Sequence, residues 1–228
     1  MRFDMPAPDL HIFPDQSRVS IAAADRFVAS AKAVVATKGR FTVAFSGGSG
    51  PKGMFELLGS PRYASQVDWA NVEVYFVDER CVPPTNDESN YKLAHDLLLS
   101  KVPIPTENVS RIRGEIDPND AAIEYGRLLK ARFNEGGVDW KQLGMGEDGH
   151  TASLFPHTPA IDETHHRCVA QFVERSTTGR SWRITLTAPF INRSGEIVVL
   201  VLKQNKADAI KQVLQGPRDV HRLPIQLI

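Results

Sequence analysis

The sequence has little cysteine, no net charge and no long hydrophobic run, and each absence excludes a class of protein. Two cysteines, Cys81 and Cys168, in 228 residues cannot build the disulfide framework of a small secreted domain, so we expect reduced thiols. Lys plus Arg equals Asp plus Glu at 27 each, which argues against a surface made for nucleic acid. No segment approaches the roughly 20 apolar residues of a membrane span, and the N-terminal stretch MRFDMPAPDLHIFPDQ lacks the apolar run of a signal peptide. We therefore expect a soluble, cytoplasmic protein without nucleic-acid or membrane partners.

Several common catalytic and binding motifs are also missing. The phosphate-loop ending Gly-Lys-Ser/Thr is absent, and the nucleophile elbow G-x-S-x-G fails because Pro51 follows the run from Gly47 to Gly50. The histidines and cysteines show no metal-ligand spacing, so no metal site is expected. Residues 48–53 match the dinucleotide pattern G-x-G-x-x-G, but Pro51 occupies the turn. Three interpretations of that loop stay open: a nucleotide site, a simpler phosphate or oxyanion cradle, and a tight strand-to-helix connection.

The order of apolar runs and amphipathic segments predicts an α/β fold. Short apolar runs alternate with helical patterns, which is typical of a mostly parallel sheet with helices on both faces, a Rossmann-like three-layer architecture. At this length we expect a single domain over residues 1–228. Strands are predicted at 41–45, 71–77, 138–143, 183–187 and 196–202, and helices at 17–37, 52–58, 90–100, 118–133 and 205–214.

Polar and glycine-rich segments directly follow several of the predicted strands. In parallel sheets, ligands bind outside the carboxyl ends of the strands. The predicted topology therefore brings a glycine loop, a carboxylate with an arginine, an Asp/His pair and a lysine to one edge. These segments are 46–50, 78–80, 144–150 and the region of Lys203 and Lys206.

The stretch LGMGEDGHTASLFP, residues 143–156, is the strongest candidate for the chemistry. Its glycines allow a tight bend that carries Asp148 and His150. We expect Thr151 to Phe155 to begin a helix, whose N-terminus would favour an anionic ligand. A well-capped loop is the alternative for this pattern taken alone. Residues 78–80 could likewise be a surface charge cluster, although an arginine placed after an apolar strand is suited to bind phosphate.

With these segments placed, the chain resembles the 6-phosphogluconolactonases, within the wider glucosamine-6-phosphate isomerase/6-phosphogluconolactonase superfamily. The matching segments lie in the family's order along nearly the whole chain. They are SGGSGP (46–51), VDERCVP (77–83), SNY (89–91), GMGEDGHTASLFP (144–156), RITLT (183–187), KA (206–207) and LPIQLI (223–228). Sugar-phosphate isomerases and deaminases continue after a similar DGH with a sequence like IAFNEP, so TASLFP favours the lactonases.

The resemblance implies hydrolysis of 6-phospho-D-glucono-1,5-lactone in the oxidative pentose phosphate pathway, without a metal or organic cofactor. An unperturbed imidazole has a pKa of about 6.5, so we expect His150 to act as general base, with Asp148 orienting it or stabilising its imidazolium. Backbone N–H groups of the loop from Gly47 to Ser49, or of the 144–150 turn, are expected to stabilise the oxyanion. Arg80 and Lys206 are expected to hold the substrate phosphate. The full set of predicted substrate-binding residues is Ser46, Gly47, Gly48, Ser49, Asp78, Arg80, Gly146, Arg183 and Lys206.

Three features depart from the family pattern. Relatives have an apolar strand before GMG, whereas this chain has Lys141 and Gln142. Because burying an unpaired lysine is costly, we expect that strand to be at an edge, displaced or short. Lys203 stands where the family usually has a glycine. Relatives also continue for a further helical segment beyond the position of Ile228, so a shorter C-terminus is expected.

Two alternatives to the lactonase stay open. One is an isomerase or deaminase acting on an amino sugar phosphate, and the other is a non-catalytic sugar-phosphate sensor with the same fold. All three share a small sugar phosphate as the expected partner. The expected oligomeric state is a monomer or a homodimer.

Overall fold

The computed structural model describes residues 8–174 and 182–228, which contain seven strands and seven α-helices. The strands are β1 (Phe41–Phe45), β2 (Val72–Phe76), β3 (Asp78–Arg80), β4 (Trp140–Gly144), β5 (Cys168–Phe172), β6 (Trp182–Leu186) and β7 (Glu196–Leu200). The helices are α1 (Gln16–Lys38), α2 (Lys52–Leu58), α3 (Pro61–Ala64), α4 (Asn90–Leu97), α5 (Pro118–Phe133), α6 (Ala188–Ile191) and α7 (Ala207–Gln215). None of these helices is long and apolar enough to cross a membrane.

Four of the strands form a parallel sheet in the order β2-β1-β4-β7. All five residues of β1 are buried because this interior strand is covered on both faces. The register pairs Val43 with Trp140 and Phe45 with Gln142, so β1 and β4 end close to each other. The loops that follow these two strands therefore leave the sheet at neighbouring positions.

Helices cover both faces of the parallel sheet. On one face α1 packs through Phe27, whose ring centroid lies 5.5 Å from that of Phe41 and 5.4 Å from that of Trp140. On the opposite face, the ring of Phe133 in α5 lies 5.1 Å from that of Tyr75 in β2. The predicted α/β architecture, with a mostly parallel sheet between helices, is confirmed.

Local sequence signals set the helix boundaries. The Asp15 carboxylate accepts a hydrogen bond from the Arg18 N–H at 2.9 Å and caps α1, which ends at Gly39 with φ 75°. Ser89 caps α4 by accepting from the Lys92 N–H. The helix predicted at 90–100 is shorter than expected and is followed by a 3₁₀ turn at Leu99–Lys101, and α7 is preceded by a 3₁₀ turn at Gln204–Lys206.

The remaining strands form a separate antiparallel sheet in the order β3-β6-β5. The strand predicted at 183–187 is therefore present as β6, but it lies outside the parallel sheet. Asp78 pairs with Thr185 and Arg80 with Arg183, which places β3 directly beside β6. Strand β5 was not predicted, because a five-residue run interrupted by Gln171 carries a weak strand signal.

Strand β4 contains Lys141, which predicts a strand that is at an edge, displaced or short. That prediction is wrong, because β4 is paired on both sides and Lys141 is fully buried within it. The Lys141 Nζ donates to the Phe190 carbonyl oxygen at 3.1 Å and lies 5.1 Å from the centre of the Phe190 ring. Burial lowers the pKa of Lys141 to about 7. The strand stays regular because the buried amine has a hydrogen-bond acceptor in the Phe190 carbonyl oxygen.

Candidate active site

The turn that follows β4 carries the predicted Asp/His pair. The Gly146 N–H donates to the His150 carbonyl oxygen at 2.9 Å and closes the turn. A Cβ at Gly146 would lie 2.1 Å from the His150 Nδ1, so a glycine is required for the imidazole to keep its position. The structure thus gives Gly146 a place beneath the imidazole, while its contact with substrate stays a prediction.

His150 and Asp148 form a hydrogen-bonded pair. The His150 Nδ1 lies 2.5 Å from Asp148 Oδ1, and the same oxygen accepts the His150 backbone N–H at 3.1 Å. The imidazole stacks on the Phe155 ring with centroids 4.3 Å apart, and 31% of the His150 side chain is exposed. Partial burial raises the pKa of Asp148, but the hydrogen bond and charge of His150 outweigh it and leave the pKa below its ordinary value. An ionised Asp148 only accepts hydrogen bonds, so Nδ1 carries the proton and Nε2 holds the free lone pair of the neutral imidazole.

The residues after the pair form a tight turn, and the prediction that they begin a helix is wrong. The Thr151 Oγ1 donates to the Gly144 carbonyl oxygen at 2.8 Å, and the Leu154 N–H donates to the Thr151 carbonyl oxygen at 2.9 Å. Ala152 has φ 51°, a left-handed conformation that does not continue an α-helix. A helix N-terminus is therefore not available for anion binding at this turn.

Asp78 joins three segments of the site. Its Oδ1 accepts the Ser46 hydroxyl and its Oδ2 accepts the Ser153 hydroxyl, each at 2.9 Å. Its carbonyl oxygen accepts from Asn90 Nδ2, also at 2.9 Å. With only 4% of Asp78 exposed, both carboxylate oxygens hold the protein's own hydroxyls. Asp78 and Ser46 thus tie the glycine loop to the segment after His150, and substrate binding by either residue stays a prediction.

The glycine loop has several backbone N–H groups without an acceptor among the described residues. No described residue accepts a hydrogen bond from the N–H groups of Gly47, Gly48, Ser49 or Gly50. A Cβ at Gly47 would lie 1.8 Å from the Asn90 Oδ1, so the loop backbone approaches α4 more closely than any side chain would allow. Adjacent unpaired N–H groups in such a loop form a concavity that suits an anion.

Arg80 and Arg183 lie side by side on β3 and β6, where the register pairs them directly. The Arg80 Nη1 donates to the Glu88 carbonyl oxygen at 2.6 Å. Burial, followed by the charge of Arg80, lowers the pKa of Arg183. Two neighbouring guanidinium groups in a partly desolvated position repel each other, and a bound dianion would relieve that repulsion. The pair is therefore suited to a phosphate.

Lys206 contacts the turn that carries the Asp148–His150 pair. Its Nζ donates to the Met145 carbonyl oxygen. Burial and then the charge of Lys203 lower the pKa of Lys206, whereas Glu147 and Asp148 act in the opposite direction. The predicted phosphate ligands thus come from two places, because Lys206 lies in the 3₁₀ turn before α7 and contacts the turn after β4, whereas both arginines belong to the second sheet.

Several residues that hold the site in place were not identified from the sequence. The Glu79 carboxylate accepts hydrogen bonds from the Ser89 hydroxyl and from the N–H groups of Arg80, Asn90 and Tyr91, so it fixes the start of α4. Burial raises the pKa of Glu79 although these hydrogen bonds act against the rise. This carboxylate is the physical reason why the segments DER (78–80) and SNY (89–91) lie together.

The described residues offer proton transfer, backbone donors and cations at the candidate site. Within residues 8–174 and 182–228, no group of three or more His, Cys, Asp or Glu side chains is placed to hold a metal ion. The groups present are able to support general base catalysis by an imidazole and stabilisation of an oxyanion and a phosphate by N–H groups and cations.

The chain is similar to known proteins along nearly its full length. The family model described as glucosamine-6-phosphate isomerases/6-phosphogluconolactonase matches residues 14–228. A 6-phosphogluconolactonase of Haemophilus influenzae is 39% identical over 177 residues, which cover 78% of this chain and 75% of that protein. One from Nostoc is 33% identical over 226 residues, which cover 96% of this chain and 90% of that protein. The crystal structure of a 6-phosphogluconolactonase from Shewanella baltica has a TM-score of 0.81 at 28% identity, covering 94% of this chain and 89% of that one. The chain therefore belongs to the family of glucosamine-6-phosphate isomerases and 6-phosphogluconolactonases, on its 6-phosphogluconolactonase side.

Proposed function

We propose that the protein hydrolyses 6-phospho-D-glucono-1,5-lactone to 6-phospho-D-gluconate, with His150 as the general base and no metal ion in the reaction. The observation that carries the proposal is the contact between the His150 Nδ1 and Asp148. This contact fixes the tautomer in which Nε2 can accept a proton. The related 6-phosphogluconolactonases support the choice of substrate.

The proposed reaction needs two proton transfers, and one imidazole performs both. The His150 Nε2 takes a proton from water as the water oxygen bonds to the lactone carbonyl carbon, which gives a tetrahedral oxyanion and an imidazolium. The Asp148 carboxylate stabilises that imidazolium through Nδ1. As the bond from this carbon to the ring oxygen breaks, the imidazolium returns the proton to the ring oxygen. The products are the free acid and a hydroxyl group, and the base is regenerated.

The oxyanion is assigned to the backbone N–H groups of the loop from Gly47 to Ser49. These groups have no acceptor among the described residues, so they can donate to a developing charge without breaking an existing hydrogen bond. Preorganised donors of this kind typically contribute about 10²–10³ in kcat. The loop is held by Ser46, which Asp78 binds through its carboxylate.

The substrate phosphate is assigned to Arg80 and Arg183, with Lys206 as a further cation. The two arginines are neighbours in register, and burial lowers the pKa of Arg183. A phosphate that carries nearly two negative charges compensates both guanidinium groups. Lys206 binds the turn through Met145 and adds positive charge beside the reacting pair.

A coupled assay on the purified protein tests this function. Lactone is generated in situ, the spontaneous opening is subtracted, and 6-phosphogluconate formation is followed with its dehydrogenase. We expect acceleration of lactone opening that a chelator does not abolish, and no turnover of glucosamine 6-phosphate. Turnover of the amino sugar phosphate would instead support the isomerase or deaminase. Binding of 6-phosphogluconate without acceleration would make the protein a sensor.

A further inference from the structure

Gln142 is a fully buried amide in the interior strand β4, at the place where the family that the chain resembles has an apolar strand. It lies beside Phe45, the last residue of β1. Its Oε1 accepts a hydrogen bond from the backbone N–H of Ser46 at 3.1 Å. The side chain therefore reaches from the strand that carries the catalytic turn to the first residue of the glycine loop.

The orientation of this amide follows from its partner. Within the Gln142 amide only Oε1 can accept a hydrogen bond, so Oε1 must face the Ser46 N–H and Nε2 must point away from it. The buried Nε2 has no hydrogen-bond partner among the described residues. An unpaired buried donor is unfavourable, and an apolar residue at position 142 would avoid it. Buried polar groups that break such a local rule are most often found where function requires them.

Ser46 is held by hydrogen bonds from two sides, and Gln142 supplies one of them. The side-chain hydroxyl of Ser46 is held by Asp78 from the second sheet, and its main chain is held by Gln142 from the parallel sheet. Ser46 is only 8% exposed, and the loop continues from it to Gly47 and the unpaired N–H groups. The direction of those N–H groups therefore depends on how the Ser46 peptide is held.

We propose that Gln142 is a positioning residue of the active site, which fixes the Ser46 peptide and thereby aims the N–H groups of the loop from Gly47 to Ser49 at the oxyanion. This inference rests on the proposed lactonase function. Its contact with the loop is a separate observation that can be measured without substrate. Because the strand that holds Gln142 ends at Gly144, the same residue also sets the loop relative to the Asp148–His150 turn.

Gln142→Leu tests the proposal, because leucine fills similar space but offers no acceptor to the Ser46 N–H. Lys141→Met is the matched control. It removes the neighbouring buried polar group, whose contact is with Phe190 on the opposite side of the strand and not with the loop. Both variants are compared with the wild type in hydrogen exchange of the peptide that covers residues 46–50 and in steady-state kinetics.

We expect Gln142→Leu to speed amide exchange in that peptide and to lower kcat by roughly 10–100-fold with KM little changed, the scale of a displaced oxyanion donor. Lys141→Met should leave both measurements at the wild-type level. Unchanged exchange in Gln142→Leu, or an equal loss of kcat in the control, would overturn the proposal. If the wild type shows no lactonase activity, the proposed function fails, and the exchange result still decides whether Gln142 positions the loop.

Discussion

Replacing Lys141 with methionine should stabilise the protein, and the gain should depend on pH. Lys141 is fully buried, and its one hydrogen bond goes to the Phe190 carbonyl oxygen. Its pKa of about 7 in the folded protein compares with roughly 10.4 in an unfolded chain. Methionine has similar length and fills irregular core space without a charge. The Phe190 carbonyl oxygen keeps the Arg193 N–H as a donor, so the substitution leaves no orphaned acceptor.

The sign and size of the effect follow from the two pKa values. Between about pH 7 and pH 10 the unfolded state binds more protons than the folded state, so the free energy of unfolding of the wild type rises with pH. Below about pH 7 Lys141 is protonated in both the folded and the unfolded state. The free energy of unfolding that the wild type loses by burying this charge is then full and constant. A difference of about 3.4 pKa units at 1.36 kcal/mol per unit makes that full loss about 5 kcal/mol, of which about 4 kcal/mol remains at pH 7, where the folded amine is half protonated. At about pH 9 the buried charge lowers the free energy of unfolding of the wild type by only about 2 kcal/mol.

Urea unfolding of the wild type and of Lys141→Met over this pH range provides the measurement. The advantage of the variant should be about 4 kcal/mol near pH 7 and should fall by about half near pH 9. Gln142→Leu changes the neighbouring residue without removing a titrating group, so its stability difference from the wild type should not vary with pH. Parallel pH profiles for the wild type and Lys141→Met would refute the idea that a buried amine of lowered pKa titrates in the folded protein.

The remaining predictions concern the active site and the loop beside it. Asp148→Asn should lower kcat by about 10²–10⁴ while circular dichroism stays native, because an amide no longer selects the tautomer of His150; an unchanged kcat would remove Asp148 from the mechanism. Arg80→Ala should raise KM more than it lowers kcat, because the group binds phosphate in substrate and transition state alike, and a normal KM would exclude it from the phosphate site. Lys203 has φ 78°, so Lys203→Gly should raise the free energy of unfolding by about 1 kcal/mol in thermal or urea unfolding; a destabilised variant would show that this backbone conformation is not strained.

The parallel sheet could be predicted because its signals are local. An uninterrupted apolar run such as Phe41–Phe45 is what a strand covered on both faces requires, and all five residues are buried. The convergence of the glycine loop and the Asp148–His150 turn followed from the rule that loops at the carboxyl ends of parallel strands meet. The pairing of β1 with β4 places them as that rule expects.

The features that could not be predicted depend on partners distant in sequence. The antiparallel pairing of Arg80 with Arg183 joins segments with no shared local pattern. The sequence also cannot show that the Phe190 carbonyl oxygen lies within reach of Lys141, so burial of the lysine was judged too costly for a regular strand. Ala152 takes a left-handed conformation within a turn closed through Thr151, a constraint that overrides the helical preference of its neighbours.

The contact of Gln142 could not be predicted for the same reason, because its partner is distant in sequence. A polar residue in an apolar strand is visible in the sequence, but only the structure shows that its Oε1 holds the Ser46 N–H. Gln142, which departs from the family pattern, therefore connects strand β4 to the first residue of the glycine loop.

His150 is the proposed general base, and the turnover number of His150→Ala with lactone generated in situ decides whether it has that role. His166→Ala serves as the control, because His166 is exposed and contacts only Glu163 among its described ring contacts. After subtraction of spontaneous opening, we expect kcat of His150→Ala to be lower by about 10²–10⁴, with the control at the wild-type level. A His150→Ala variant that keeps near-normal kcat would contradict the mechanism.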